Sequence, residues 1–173
     1  MRAEALAGIG FLESVGQLCQ TFRMKVYVDA DACPVKEEVV RVAERHDLAM
    51  VFVSNQLGRL PRSHLIERVL VSDGADVADD WIVERIGADD ICVTQDIQLA
   101  KRCLDAGAHV IGTTGKPFDE ANIGMALAMR EFRQHLRETG QGGSYNAPLR
   151  REDRSRFLQA LENVVQGILR DNR

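Results

Sequence analysis

The sequence predicts an α/β fold, a three-layer sandwich with a parallel β-sheet in the middle and further helices at the C-terminal end. From residue 24 onward, short continuous apolar runs alternate with amphipathic segments. Such runs are typical of strands that helices cover on both faces. The chain has 173 residues, 45% of them apolar, which is enough to bury one core of this kind.

The first predicted strand is KVYVDA, residues 25–30. Pro34 then suits the first turn of a helix, because the N–H that proline lacks has no partner there. Val35, Val39 and Val42 recur on one face of that helix and predict its buried side.

The alternation of strands and helices continues to residue 138. Residues 48–54 predict the second strand, and a loop with Gly58 and Pro61 follows it. The later elements are a third strand at 68–72, a helix at 76–86, a fourth strand at 91–94, a helix from Ile97 that stops at Gly107, a fifth strand at Val110 and Ile111, and a long helix at 119–138.

The terminal segment predicts one more helix beyond the glycine-rich passage GQGGSYNAP, residues 140–148. Phe157, Leu161, Val164 and Ile168 share one helical face there. We expect this face to pack on the domain.

Residues 1–23 form a separate N-terminal extension in this interpretation. Apolar residues from Leu6 to Phe22 recur at helical spacing, which predicts a helix. Glu4 and Glu13 interrupt the apolar stretch, so we expect neither a signal peptide nor a membrane anchor. Residues 24–173 are then expected to form a single domain.

Charge and cysteine content limit the function classes. A net charge of −4 argues against a chain that coats nucleic acid through bulk charge, although a local basic patch or a bound metal can still attract phosphate. The four cysteines show no C-x-x-C spacing. Reduced thiols in a cytoplasmic protein are the expectation.

Acidic residues follow the predicted strands in a pattern. Asp29 and Asp31 close the first strand, and Thr94 and Asp96 close the fourth. With a strand order of 3-2-1-4-5, strands one and four are neighbours, and their acids meet in the crevice where open parallel sheets bind ligands. A third group shares one face of the helix before strand four, namely Asp76, Asp79 and Asp80.

Two interpretations compete for these carboxylates. Each acid at a helix start can act as a cap and gains about 0.3–1 kcal/mol from the helix dipole. Several like charges in one crevice repel each other unless a cation lies between them, which favours a metal site. An all-oxygen ligand set suits Mg²⁺ or Mn²⁺, whereas the four histidines show no zinc-ligand spacing with cysteine.

Arginines are the candidates for binding a substrate backbone. Arg59 and Arg62 follow strand two, on the side of the sheet where the acids are expected. A second group opens the terminal helix, where the helix dipole disfavours cations unless an anion binds there or nearby acids pair with them. Its members are Arg150, Arg151, Arg154 and Arg156.

Four separated segments resemble the YaiI/YqxD family of uncharacterised bacterial proteins, in order and over nearly everything from residue 24 onward. They are VDADACPVKEEV, GADVADDWI, ICVTQDIQLA and REDRSRFLQAL. That family is grouped with PIN-like domains, whose characterised members are metal-dependent nucleases. The resemblance implies a PIN-like fold with an acidic site formed by Asp29, Asp96 and one or more of Asp76, Asp79 and Asp80, with Asp31 as a further acid.

These observations predict a metal-dependent nuclease that acts on RNA or single-stranded nucleic acid. A carboxylate-bound Mg²⁺ or Mn²⁺ can activate water and stabilise the leaving oxygen of a phosphodiester. Asp29 and Asp96 would be the central residues, and Thr94 would position the water or an acid.

Three other functions fit parts of the pattern. A receiver domain of a response regulator would use Asp29, Asp31, Asp73, Thr94 and Lys116, but it leaves the other acids without a role. A haloacid-dehalogenase-like phosphatase would have its lysine before the later acidic pair, whereas here the lysine follows it. A non-catalytic RNA-binding or scaffold module would keep the acids only as helix caps. Strand order separates nuclease from receiver, and metal binding separates both from the scaffold.

Overall fold

The computed structural model describes residues 24–56, 58–140 and 148–172, so the N-terminal extension lies outside the described residues. In this part of the chain six strands form one sheet. The strands are β1 (Lys25–Asp29), β2 (Ala49–Ser54), β3 (Ile66–Leu70), β4 (Ile91–Val93), β5 (His109–Ile111) and β6 (Pro117–Phe118). The helices are α1 (Lys36–Arg45), α2 (Val77–Val83), α3 (Ile97–Asp105), α4 (Glu120–Glu138) and α5 (Arg151–Asp171).

The strand order is β3-β2-β1-β4-β5-β6, which confirms the predicted order of the first five strands. These five are parallel, and β6 adds to the edge in antiparallel orientation. The sequence analysis missed β6 because two residues cannot show strand periodicity. The turn before it requires Gly115, whose φ is +82° and whose missing Cβ lets the Arg156 backbone of α5 approach closely.

Two apolar cores lie on opposite faces of the sheet, which confirms the three-layer prediction. Alternate residues of β1 face alternate cores, so Val28 packs with α1 and α5 while Tyr27 packs with α2 and α3. Phe157 of α5 is fully buried in the first core, and Ile82 of α2 is fully buried in the second.

Several predicted boundaries differ from the observed ones by one or more residues. The third strand spans Ile66–Leu70 rather than residues 68–72, because the exposed residues Glu67 and Arg68 interrupt the apolar pattern of this edge strand. The helix predicted over 76–86 ends at Val83, and the chain then tightens into a turn in which Arg85 N–H donates to the Ile82 carbonyl.

The terminal helix α5 docks on α1, as the apolar face predicted. Phe157, Leu161 and Ile168 are buried, and Val164 is partly buried against the same core, as predicted. Val165 is fully buried as well, so the buried face of the helix is wider than the predicted one. Among the described helices, none combines the length and the apolarity that crossing a membrane requires.

A partly buried ion pair fixes the start of α5 against α1. The Arg154 guanidinium donates to both carboxylate oxygens of Glu38, at 3.0 and 3.1 Å, and to the Pro34 carbonyl at 3.0 Å. The Glu38 side chain is only 9% exposed. The hydrogen bonds from Arg154 therefore replace much of the hydration that this carboxylate loses on burial. At the other end of α1, Arg45 and His46 bind Glu162 of α5.

We expect Arg154→Met to lower the free energy of unfolding by about 1–3 kcal/mol, because the buried Glu38 carboxylate loses charged hydrogen bonds. Urea denaturation at pH 7 measures the change. The matched control is Arg156→Met, whose ion pair with Asp153 is more exposed and which should change stability by only about 0.5 kcal/mol. Equal losses in the two variants would contradict a specific contribution from the Glu38 pair.

Candidate functional site

A crevice lies at the carboxyl edge of the sheet, at the point where the order of the strands reverses. The chain runs from β1 through β2 to β3 on one side, and then returns to place β4 and β5 on the other side of β1. Ligands of open parallel sheets bind at the carboxyl edge beside such a reversal. The register pairs Val28 with Val93, so Asp29 and Thr94 follow side by side at this edge.

A chain of hydrogen bonds connects the acids of β1 and β4 through a buried threonine. The Thr94 hydroxyl, which is 1% exposed, donates to the Asp29 carboxylate at 3.3 Å and accepts from the Asp96 backbone N–H at 2.9 Å. Asp29 itself is only 9% exposed. Thr94 thus orients Asp29 and also fixes the start of α3.

Asp29 is electrostatically coupled to its acidic neighbours. Burial raises the pKa of the Asp29 carboxyl above its ordinary value; the hydrogen bond from Thr94 opposes this rise, and the charges of Asp31 and Asp96 add to it. The site therefore concentrates negative charge around a partly desolvated carboxylate.

Asp31 and Asp96 have structural contacts as well as a place in the crevice. Asp96 caps α3, and its side chain accepts from the N–H groups of Gln98 and Leu99 at 2.7 and 3.3 Å. The Asp31 carboxylate accepts from the Asn55 N–H at 2.9 Å, which links the ends of β1 and β2. Capping is therefore part of the explanation for Asp96.

The three acids of α2 separate in space. Asp76 stands at the N-cap position with φ of +63°, but its side chain makes no capping hydrogen bond. Asp79 is half-buried: burial first, and then the charges of Asp96, Asp29 and Asp76, raise its pKa to about 6, while the charge of Arg102 opposes this rise. Asp80 instead binds the guanidinium of Arg102 on α3 at 2.6 Å.

The carboxylates of the crevice are the side chains that would hold a metal ion. Within the residues that the structure describes, no group of three or more acidic, histidine or cysteine side chains is arranged to hold an ion. Mg²⁺, however, usually binds one or two carboxylates and completes its shell with waters and substrate phosphates. The oxygen donors of Asp29, Asp31, Asp79 and Asp96 fit such a site better than a closed cage.

The two arginines predicted to bind substrate line two neighbouring clefts, which share Leu60 and Pro61. Arg59 lines a cleft with Cys33, Pro34 and Arg154, next to the start of α1. Arg62 lies in another cleft, with Glu44 near the end of α1 and Ile66 at the start of β3. Because β3 runs parallel to β2, the loop between them must return to the opposite edge of the sheet. Arg62 belongs to the later part of that return.

Two neighbouring clefts border the acidic crevice. A large cleft of about 1020 Å³ is lined by Asp31, the turn after β5 and the start of α5, where it includes Arg150 and Arg156. Arg156 also pairs with Asp153 at 3.3 Å, and Arg150 N–H binds the same carboxylate. These contacts within α5 satisfy part of the basic group that opens the helix.

A smaller cleft of about 230 Å³ contains Asp96 and three arginines of α4, namely Arg130, Arg133 and Arg137. The sequence analysis did not select these arginines. Their spacing of three and four residues places them on one helical face and was the available signal. Only the packing of α4 on α3 shows that this face adjoins the acids.

Fold and site together define an α/β protein whose carboxylates gather at the carboxyl edge of a parallel sheet, beside basic helices. The chain belongs to the family described as Uncharacterized BCR, YaiI/YqxD family, whose model matches residues 27–167. This confirms the resemblance inferred from the four sequence segments.

Curated relatives from several bacteria carry the name UPF0178 protein. One from Rhizobium meliloti is 54% identical over 145 residues, which cover 84% of this chain and 99% of the relative. A relative from Parvibaculum lavamentivorans is 54% identical over 147 residues, covering 84% of this chain and 96% of the relative. No solved structure matches the chain significantly.

We expect Asp79→Asn to stabilise the protein at neutral pH in the presence of EDTA. The folded chain holds the Asp79 proton more tightly than the unfolded chain, whose pKa is near 3.8. The bound proton therefore stabilises the folded state fully below pH 3.8, and this stabilisation is lost as the pH rises through about 6. A shift of this size corresponds to about 3 kcal/mol, which solvent screening of the half-exposed carboxylate reduces to about 1 kcal/mol.

Urea denaturation of parent and variant across this pH range provides the measurement. The advantage of the asparagine variant should grow between the two pKa values and then level off. Asp73→Asn is the control, because Asp73 is an exposed carboxylate shortly before α2. A stability difference that does not vary with pH would show that Asp79 is not coupled to the other acids.

Proposed function

We propose that this protein is a metal-dependent phosphodiesterase that cleaves RNA or single-stranded nucleic acid, with Mg²⁺ or Mn²⁺ held by the carboxylates of the crevice. The proposal rests on the family's grouping with PIN-like domains and on the site geometry. The free, buried cysteines Cys33, Cys92 and Cys103 suit a reducing compartment, so we assign the activity to the cytoplasm.

The observation that carries the proposal is a group of carboxylates around buried Asp29 that raise one another's pKa values. Asp31 and Asp96 raise its pKa, and Asp29 in turn raises the pKa of Asp79. Among the described residues, none of these four carboxylates forms an ion pair with an arginine, lysine or histidine. A cation from outside the chain would relieve this repulsion between the carboxylates best.

The residues of the chain have separable tasks in this proposal. When bound, a divalent cation supplies a polarised water and charge compensation for the leaving oxygen of the phosphodiester. Asp29 and Asp96 provide ligand oxygens; Thr94 orients the Asp29 carboxylate by donating to it, and it fixes the Asp96 backbone by accepting from its N–H. Asp31 and Asp79 add further negative charge near this pair.

The observed strand order argues against the receiver alternative. In this sheet β2 and β1 separate β3 from β4, so Asp73 after β3 does not join the acids of β1 and β4. The scaffold alternative, with acids that serve only as caps, accounts for Asp96. It does not account for Asp29, which is buried at the end of a strand and caps no helix, whereas Asp79 lies in the first turn of α2, where the helix dipole also favours an acid.

We expect Mg²⁺ or Mn²⁺ to raise the melting temperature, because a ligand that binds only the folded state stabilises it. At a concentration about tenfold above Kd the gain is about 1.4 kcal/mol, or roughly 3–6 °C for a chain of this size. The gain should be larger at pH 8 than at pH 5, since protons compete for the same carboxylates.

Asp96→Asn should remove most of this metal-dependent gain while retaining the fold, because asparagine caps a helix as well as aspartate does. Glu131→Gln on the exposed side of α4 is the control and should keep the full gain. Melting curves that are unchanged by millimolar metal would leave helix capping as the explanation for the acids.

We expect the parent to cleave labelled single-stranded RNA in Mg²⁺ or Mn²⁺, and Asp29→Asn to lose at least about 100-fold in rate, since removal of one group that stabilises transition-state charge costs roughly that much. The asparagine retains an oxygen that can accept from Thr94, so the fold should persist. Cleavage of RNA and DNA panels, with circular dichroism of each variant, tests this. Equal rates for parent and Asp29→Asn would rule out the proposed site.

A further inference from the structure

We infer that α4 is a binding track for single-stranded nucleic acid, in which arginines hold the phosphates and Phe132 stacks on an unpaired base. This inference deepens the proposed nuclease function, since it assigns the part of the site that holds the strand outside the acidic crevice. It rests on the placement of two adjoining stripes of side chains on α4.

The first stripe is basic and faces the acidic site. Arg130, Arg133 and Arg137 line the small cleft together with Asp96 and Gln95. In the described part of the chain, none of these guanidinium groups lies within ion-pair distance of a carboxylate. Three cations along one helical face, without internal partners, match the repeating charge of a phosphate backbone.

The second stripe is apolar and lies next to the first. Met125, Met129 and Phe132 are 70%, 41% and 55% exposed, and their spacing of four and three residues places them on one face. Met129 and Arg133 are four residues apart, so the two stripes adjoin. An exposed aromatic ring beside a basic groove is the arrangement that proteins use to bind single strands through stacking.

The basic cleft and the large one lie next to each other. Gln95 and Ile97 line both clefts, so both border the start of α3. Asp96 lines the small cleft and Asp31 lines the large one. A strand lying along α4 therefore reaches the carboxylates beside the start of α3, next to the wider cleft at α5.

A single strand fits these features better than a duplex. Bases in a duplex stack on each other and do not offer a free face to Phe132, whereas unpaired bases do. The exposed apolar stripe alone would also suit a second copy of the chain. The adjoining arginines favour the anionic strand, because two basic stripes brought together in a dimer would repel.

The first test measures binding of a fluorescein-labelled 12-nucleotide single-stranded RNA to the full chain in EDTA, where no metal-supported cleavage occurs. The variant Arg133→Gln/Arg137→Gln should bind at least about tenfold more weakly, and the slope of log Kd against log salt should fall by about 1.4, or about 0.7 for each phosphate that the variant no longer neutralises. The control Arg41→Gln/Arg170→Gln removes the same charge from α1 and α5 and should change Kd less than twofold. Equal losses of affinity in both double variants would overturn the track.

The second test separates stacking from charge. Phe132→Ala should weaken binding by about 5- to 150-fold, the range for removal of one stacked base, without changing the salt slope. Phe132→Leu keeps the apolar bulk, so parent-like binding by this variant would overturn the stacking role. Binding of a blunt duplex should not distinguish Phe132→Ala from the parent.

Two further outcomes identify what has failed. A parent that sediments as a dimer, and becomes a monomer in Phe132→Ala, would show that the apolar stripe is a self-association surface, which overturns the proposed track. Strand binding that depends on Arg133, Arg137 and Phe132, in a protein that cleaves nothing, would support the track and contradict only the nuclease activity. Circular dichroism should be unchanged in all variants, since the substituted side chains are exposed.

Discussion

The parallel pairing of β1 with β4 is the constraint on which the site depends. Hydrogen bonds between the two strands align Val28 with Val93, and this alignment leaves Asp29 beside Thr94 where both strands end. Because side chains alternate along a strand, a shift of one residue in this register would turn Asp29 into the apolar core. The same register seats the start of α3, since the Thr94 hydroxyl accepts the Asp96 N–H.

The carboxylates in the acidic crevice repel one another, and this lowers the free energy of unfolding that the rest of the fold provides. Asp29 and Asp79 are both harder to ionise than free carboxyls, chiefly because they are desolvated. The two apolar cores on either face of the sheet supply the compensating stability through burial of strands and helices. Local destabilisation of this kind is characteristic of functional sites, where it prepares the protein to bind a ligand of opposite charge.

The two C-terminal helices contribute differently. Helix α5 completes the first core, and the Arg154–Glu38 pair ties its start to α1. Helix α4 buries little more than Ile123 and packs against α3, so most of its surface remains exposed. Its position nevertheless follows from packing, and that packing carries a basic stripe to the edge of the acidic crevice.

The sequence by itself determined the fold class, the order of five strands and the identity of the acids, because buried strands and amphipathic helices leave periodic apolar patterns. It could not determine β6, whose two residues carry no periodicity. Tertiary structure alone decided that Asp80 pairs with Arg102, that Arg59 and Arg62 line two separate but neighbouring clefts, and that α4 borders the site. Spacing along a chain fixes which residues share a helical face, whereas the neighbour of that face depends on contacts between elements distant in sequence.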